Sequence, residues 1–148
     1  MQKKILNEKS SPPQSQLKIL LNYFQKKLFE DAEKLAMSIT QKYPNHQFAW
    51  KVLGVILEQT GRKSEAINFH QRVVAISPKD PEAHFILANS LKELGRLEEA
   101  EKSYIKVITI KSDHAYSYNN LATTQKELGR INESLSNYKK AIKLKPDF

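Results

Sequence analysis

The sequence contains no cysteine, only four glycines and no long apolar run. Without cysteine, the chain has no disulfide framework, thiolate nucleophile or sulfur-ligated metal. An all-β fold of this size would need more turn glycines, so helix is favoured. No segment approaches the about 20 apolar residues of a membrane span, and Asn7, Glu8 and Lys9 interrupt the only signal-like start. We therefore expect a soluble, cytoplasmic protein with no membrane span.

The remaining composition is that of a folded protein. Hydrophobic residues make up 40% of the 148 positions, charged residues make up 27%, and the formal net charge is +8. The positive excess is spread over both ends of the chain rather than gathered in one patch. Because no nucleic-acid reading motif accompanies this charge, we do not expect nucleic acid to be the main partner.

An internal repeat is the main feature of the sequence. Lys-Glu-Leu-Gly-Arg occurs at 92–96 and again at 126–130, and residues 81–114 aligned on 115–148 share 13 of 34 positions. A repeat of this length indicates one supersecondary unit that is stacked several times. We therefore predict a flexible N-terminal arm at 1–12 and a single domain at 13–148, divided into four units. The units are 13–46, 47–80, 81–114 and 115–148.

Each unit has the pattern of two helices joined by a tight turn. In the third unit, Pro81 suits a first helical position, Leu87 and Leu91 follow at helical spacing, and Gly95 suits the left-handed residue that ends a helix. A second helix is predicted to begin near Glu98. Small residues recur where the paired helices must approach closely. One helix pair cannot bury this much apolar surface, so the units must stack into an all-α solenoid.

These residues resemble the tetratricopeptide repeat family. In the fourth unit the matching positions are Tyr118, Leu121-Ala122, Gly129, Ser134, Tyr138, Ala141 and Pro146. The first unit departs from the pattern, because Lys27 stands at the turn glycine and Leu20 at the small residue. The resemblance implies a right-handed superhelix of antiparallel helix pairs. It also implies that the first helices line a concave groove, which binds a peptide or protein segment.

The helical wheel separates a packing face from an opposite face on each first helix. The opposite face has an apolar stretch in the middle units and amide side chains that can bind a peptide backbone. The predicted groove residues are Phe48, Lys51, Val52, Val55, Gln59, Glu82, Phe85, Ile86, Asn89, Glu93, Tyr116, Asn119, Asn120 and Thr123. The alternative is that residues such as Phe85 and Ile86 only complete packing between units.

No catalytic, metal or cofactor site is predicted. The four histidines form neither a His-x3-His pair nor a His-Glu-x-x-His motif, and the phosphate-loop and nucleophile-elbow motifs are absent. His70 and His84 stand where other units carry packing aromatics, so we expect structural roles for both. We expect no enzyme activity and no cofactor from these residues.

The sequence therefore predicts a protein–protein interaction scaffold that binds a peptide or protein segment in the groove. The alternative is the N-terminal substrate-recruiting region of a larger enzyme of the glycosyltransferase, sulfotransferase or methyltransferase type. The last predicted helix lacks a neighbour to cover its apolar side chains. Those side chains are Tyr138, Ala141, Ile142 and Leu144. We therefore expect that the chain is the N-terminal part of a longer array, or that a partner protein or a second copy, through self-association, covers this helix.

Overall fold

The computed structural model describes residues 11–147, and within this range every regular element is an α-helix. The first ten residues of the predicted arm lie outside the described residues. The helices are α1 Gln14–Gln25, α2 Phe29–Lys42, α3 Gln47–Gln59, α4 Lys63–Ile76, α5 Pro81–Glu93, α6 Leu97–Ile110, α7 Ala115–Glu127 and α8 Ile131–Leu144. None of these eight combines the length and the apolar content that a bilayer crossing demands.

The turn within each helix pair has one backbone conformation, in which a residue with positive φ ends the first helix. Gly61, Gly95 and Gly129 have φ of 82°, 71° and 77°, while Lys27 adopts φ 57° at the same position of the first pair. After each of these residues the next amide bonds five residues back, as Arg96 N does to the Leu91 carbonyl at 2.9 Å. This is the Schellman motif. Lys27 retains it, although a side chain there costs roughly 1–2 kcal/mol relative to glycine.

The four helix pairs stack in chain order into a right-handed solenoid. The second helices α2, α4 and α6 each pack both on their own first helix and on the first helix of the next pair, while α8 packs on α7. Two clusters of buried side chains form along this stack, one across α1 to α3 and one across α4 to α7. The first contains Leu20, Ala32, Ala36, Ile39, Ala49, Val52, Leu53 and Ile56, and the second contains Ile67, Leu87, Ala88, Leu91, Ala100, Tyr104 and Leu121.

Small residues lie at the close contacts between paired helices. Ala66 and Ala100 are fully buried, and Ser134 is 2% exposed at the corresponding site of the fourth pair. Its hydroxyl donates to the Ala122 carbonyl at 2.7 Å, so the buried oxygen is satisfied. On α3, a Cβ at Gly54 would lie 2.3 Å from His70 Cε1. Glycine at position 54 therefore makes room for the His70 ring.

The two histidines of the packing positions are in the interior. His70 is 3% exposed, with Nε2 3.0 Å from the Glu58 carboxylate, which also accepts a hydrogen bond from the Ser90 hydroxyl of the next unit. His84 is 8% exposed and its Nε2 lies 2.9 Å from the Pro78 carbonyl. Trp50 makes the equivalent bond one unit earlier, to the carbonyl of the preceding proline. Both histidines thus replace aromatic side chains in packing.

The last helix is covered more fully than the sequence predicted. Ala141 was expected to lack a neighbour, but it is 1% exposed, so that expectation is wrong. Tyr138 is partly buried, and its hydroxyl lies 3.0 Å from Thr123 Oγ1 on α7. Ile142 is 51% exposed and Leu144 is partly exposed. The uncovered part of α8 is therefore its side away from α7.

Candidate functional site

The candidate site is the surface formed by the first helices α1, α3, α5 and α7, called the groove below. Three depressions lie along it. The apolar sector, between α1 and α3, is lined by Gln14, Leu17, Lys18, Leu21 and Phe48. The central sector is lined by Lys51, Val55, His70, Val73, Ala83 and Ile86. The amide sector is lined by Asn89, Lys92, Glu93, Tyr104, Asn120 and Glu127.

The apolar sector is an open depression of about 200 Å³. Leu17, Leu21 and Phe48 provide its apolar surface, and Leu21 is 41% exposed. Such exposure leaves the side chain free to contact a ligand without opening the core. Lys18 lies at the edge of this sector and forms no ion pair within residues 11–147. This end of the groove therefore combines apolar surface with an available positive charge.

The central sector is nearly filled. Its volume is about 20 Å³, which is room for about one water molecule and not for a side chain. Val55 and Ile86 line it as partly buried side chains. Val52, predicted to line the groove, is only 6% exposed and belongs to the core cluster of α1 to α3. For Val52 the packing alternative is correct, because it faces the preceding helix pair.

The amide sector is an open depression of about 490 Å³ whose polar side chains are linked to one another. Asn89 Oδ1 accepts hydrogen bonds from the Tyr104 hydroxyl at 2.6 Å and from Asn120 Nδ2 at 3.1 Å. Asn119 Nδ2 lies 3.5 Å from Asn120 Oδ1. Thr123 Oγ1 donates to the backbone carbonyl of Asn119 at 3.0 Å. The predicted amide residues are thus brought together in one network.

Tyr104 supports this network from the core. The side chain is fully buried, and burial, together with the carboxylates of Glu127 and Glu93, raises the pKa of its phenol to about 12 against the lowering effect of a hydrogen bond with Asn120. The hydroxyl therefore remains a proton donor at any physiological pH. At the rim, Lys92 Nζ lies 3.6 Å from Glu127 and Lys63 Nζ lies 2.7 Å from Glu93. The charges of this sector are largely paired.

Lys51 is occupied by an ion pair rather than open to solvent. Its Nζ lies 3.1 Å from Asp80 Oδ2, while the other oxygen of Asp80 caps α5 by accepting from the Glu82 amide at 3.0 Å. Partial burial raises the pKa of Asp80. The Lys51 charge and hydrogen bond, with the amides of Ala83 and Glu82, outweigh that effect and place the pKa below its ordinary value. Lys51 therefore links α3 to the residue that caps the N-terminus of α5.

Four other predicted residues lie outside the depressions. The Phe85 ring packs edge-on against Tyr104 and His114, with centroids 6.1 and 5.0 Å apart, as the packing alternative predicts. Tyr116 is 50% exposed and accepts a hydrogen bond from Lys145 Nζ at 2.6 Å. Gln59 and Glu82 are exposed near the ends of α3 and α5. These side chains border the groove and do not line one cavity together.

Sequence reasoning missed the first unit's contribution. Gln14, Leu17, Lys18 and Leu21 line the apolar sector, yet the groove was predicted to begin at Phe48. The alignment of the repeats contains a signal that identifies them. Leu21 holds the position in α1 that Val55, Asn89 and Thr123 hold in the later first helices. The departures of the first unit from the repeat pattern concealed this equivalence. No cluster of three or more metal-ligating side chains occurs within residues 11–147.

Two family models described as tetratricopeptide repeat match the chain, over residues 17–81 and 82–147. The chain belongs to the tetratricopeptide repeat family. Together the matches account for all eight helices of the described range as repeat units, which is the organisation of a protein-interaction module.

Solved structures of this family have the same fold. A crystal structure of MamA superposes with a TM-score of 0.82 at 23% identity, covering 89% of this chain and 77% of that one. YrrB, described as a tetratricopeptide repeat protein with an unusual peptide-binding site, superposes with a TM-score of 0.75 at 24% identity, covering 84% and 64%. At these identities the likeness establishes the fold alone. No curated protein sequence matches the chain.

Proposed function

We propose that this tetratricopeptide repeat protein is a scaffold that holds an extended peptide segment of a partner protein along the groove. The peptide places an apolar side chain, next to an acidic residue, in the apolar sector. Its backbone continues over the filled central sector and is held by hydrogen bonds in the amide sector. The observation that carries this proposal is the pairing of one apolar and one amide-lined depression on the same row of first helices.

The apolar sector supports an anchor of this kind. Its volume of about 200 Å³ compares with about 20 Å³ for the filled central sector, so it can accept an aliphatic or aromatic side chain. Burying such a side chain contributes about 1.5–3 kcal/mol. Lys18 favours a carboxylate beside the anchor, because it has no acidic partner in the described range.

The amide sector supports recognition of backbone. An extended peptide presents N–H and C=O groups in alternation, and an amide side chain both donates and accepts. Asn119 and Asn120 are partly exposed, so their remaining hydrogen-bonding capacity can face a ligand. Asn89 is less suitable for a test, because its oxygen already accepts from Tyr104 and Asn120. An alanine at position 89 would leave those donors unpaired and lower stability as well as binding.

The test selects ligands from a library of random 12-residue peptides displayed on phage, with the full chain as bait. The dissociation constant of the selected peptides is then measured by fluorescence anisotropy. We expect Leu21→Ser to weaken binding about tenfold or more, because the anchor loses its apolar contact. Lys18→Glu should disfavour the peptides that carry an acidic residue beside the anchor.

Matched controls lie on the outer helix α6. Ile105 is 43% exposed, close to the exposure of Leu21, so Ile105→Ser removes a similar side chain outside the groove. Lys102→Glu repeats the charge change of Lys18→Glu. The paired change Asn119→Ala with Asn120→Ala tests the amide sector. Selected peptides that bind all groove and control variants equally would contradict the proposal.

A further inference from the structure

The outer side of α8 carries a stripe of apolar side chains, called the α8 face below. Ile131, Leu135, Tyr138 and Ile142 are spaced by four, three and four residues, so they follow one side of the helix. Ile131, Leu135 and Ile142 are 51%, 53% and 51% exposed. Within the described residues α8 packs chiefly on α7, which covers its other side.

The repeat provides an internal reference for this face. One unit earlier, Glu101 and Tyr104 hold the positions of Leu135 and Tyr138. Two units earlier, Ile67 and His70 hold them. Those four residues are 7%, 0%, 2% and 3% exposed, because the next helix pair covers them. In particular, Ile67 packs with Leu87 and Leu91 of α5. The α8 face therefore has the composition of a surface that another helix covers in the earlier units.

The border of the α8 face is basic, unlike the same border in the other units. Lys139 and Lys143 lie four residues apart beside the stripe, and both are exposed. Neither forms an ion pair within residues 11–147. The corresponding positions in the first three units hold uncharged residues. These are Met37, Gln71 and Ile105 for the first lysine, and Gln41, Ala75 and Thr109 for the second.

We propose that the α8 face docks an amphipathic helix of a partner protein that carries acidic residues along one edge. Its apolar side resembles a first helix of this chain, with a small residue followed four positions later by leucine. Ala83 with Leu87 and Ser117 with Leu121 are that pattern in α5 and α7. The acidic edge pairs with Lys139 and Lys143, and this charge match distinguishes the partner from a further copy of the chain.

A second copy fits this face less well. In a head-to-tail stack α1 would cover α8, and α1 contains no acidic residue. In a two-fold pairing of α8 faces, the lysines of both copies would lie near each other and repel. Both arrangements leave the basic border without a counter-charge.

The test uses the full chain and two synthetic 20-residue helical peptides. Both peptides carry alanine, leucine and leucine at four-residue spacing on one side, and they differ only in having glutamate or lysine along the edge. We expect the glutamate peptide to bind at least tenfold more tightly by fluorescence anisotropy. Its affinity should fall when the salt concentration rises from about 0.05 to 0.3 M, since salt screens exposed charges.

Two paired variants locate the binding. Leu135→Ser with Ile142→Ser should weaken the glutamate peptide about tenfold, and Lys139→Glu with Lys143→Glu should reverse the preference between the peptides. The altered side chains are exposed, so the thermal midpoint should change little. Ile105→Ser, and Lys102→Glu with Lys106→Glu, are matched changes on α6 that should have no effect.

Three results would overturn the proposal. One is equal affinity for the two peptides, and another is glutamate-peptide binding that the α8 variants do not alter. The third is a dimer in sedimentation that Leu135→Ser with Ile142→Ser abolishes, because the occupant would then be a second copy. Peptides selected for the groove should bind the α8 variants normally, so failure of this proposal is separable from failure of the groove.

Discussion

The two open ends of the groove have the same backbone and opposite chemistry. Between α1 and α3 the depression is apolar with one lysine, and between α5 and α7 it is lined by linked amides and paired charges. The difference arises at equivalent positions of the repeat. The position of Leu21 in α1 is held by Asn89 in α5, and the position of Lys18 in α1 is held by Ile86 in α5 and by Asn120 in α7. The turns and the close helix contacts are thus the same from unit to unit. The side chains on the groove side of each first helix differ, and they determine which ligand groups each sector can contact.

The two ends also differ in how firmly they are joined to the core. Tyr104 under the amide sector is fully buried and bonds directly to Asn89. Leu21 in the apolar sector is 41% exposed. Changes at the amide end should therefore alter folding and binding together, whereas changes at the apolar end should alter binding alone.

The largest expected effect comes from Tyr104→Ala compared with Leu21→Ala. Removing the buried ring leaves a cavity and should lower the free energy of unfolding by about 3–5 kcal/mol. Leu21→Ala removes a half-exposed side chain and should lower it by under about 1 kcal/mol. Urea denaturation followed by circular dichroism measures both. Similar losses for the two variants would contradict the proposed difference between the ends.

A smaller effect should distinguish the turns of the first and third units. Gly95→Lys places a side chain at φ 71° and should lower the free energy of unfolding by about 1–2 kcal/mol. Lys27→Gly relieves the same strain at φ 57° and should raise stability by a fraction of that amount, because glycine also adds freedom to the unfolded chain. Thermal unfolding of the two variants tests this. Shifts of the melting temperature in the same direction for the two variants would contradict this prediction.

Tyr104→Phe isolates the hydrogen bond from the packing of the ring. The variant keeps the buried ring and removes one of the two donors to Asn89 Oδ1, so a loss of about 1 kcal/mol is expected. Peptides that bind the amide sector should also bind less tightly, because Asn89 and Asn120 lose their fixed orientation. Anisotropy with the phage-selected peptides measures this. Unchanged affinity would show that the network does not position the amides.

The smallest effect concerns pH and the ion pair at the centre of the groove. The pKa of Asp80 is lower in the folded state, so its contribution to stability is complete above the ordinary carboxyl pKa of about 3.9 and is lost as pH falls through the folded value. Asp80 is only partly buried, and its ion pair with Lys51 lies near solvent, so we expect under about 1 kcal/mol after screening. Asp80→Asn, which still caps the helix, should reduce the pH dependence of unfolding between pH 6 and 2. An unchanged dependence would contradict this.

Much of the fold could be predicted because its signals are local. Gly95 ends a helix through its own φ, and Pro81 begins one because its missing N–H is not needed there. The small residues of the paired helices were also found from spacing alone. The groove was predicted less completely, since a helical wheel gives the direction of a side chain and not its neighbours. Val52 therefore looked like a groove residue, although a helix from the preceding unit covers it.

The sequence alone determined the repeat, its helix pairs and the family, because these depend on periodicity and on residues that act within one turn of the chain. The tertiary structure decided that both ends of the groove are open while its centre is filled, that Tyr104 bonds to Asn89, and that Ala141 is covered while Leu135 is not. Those outcomes depend on how closely neighbouring helices approach. That distance is set by the side chains of two units together, so no single stretch of sequence specifies it.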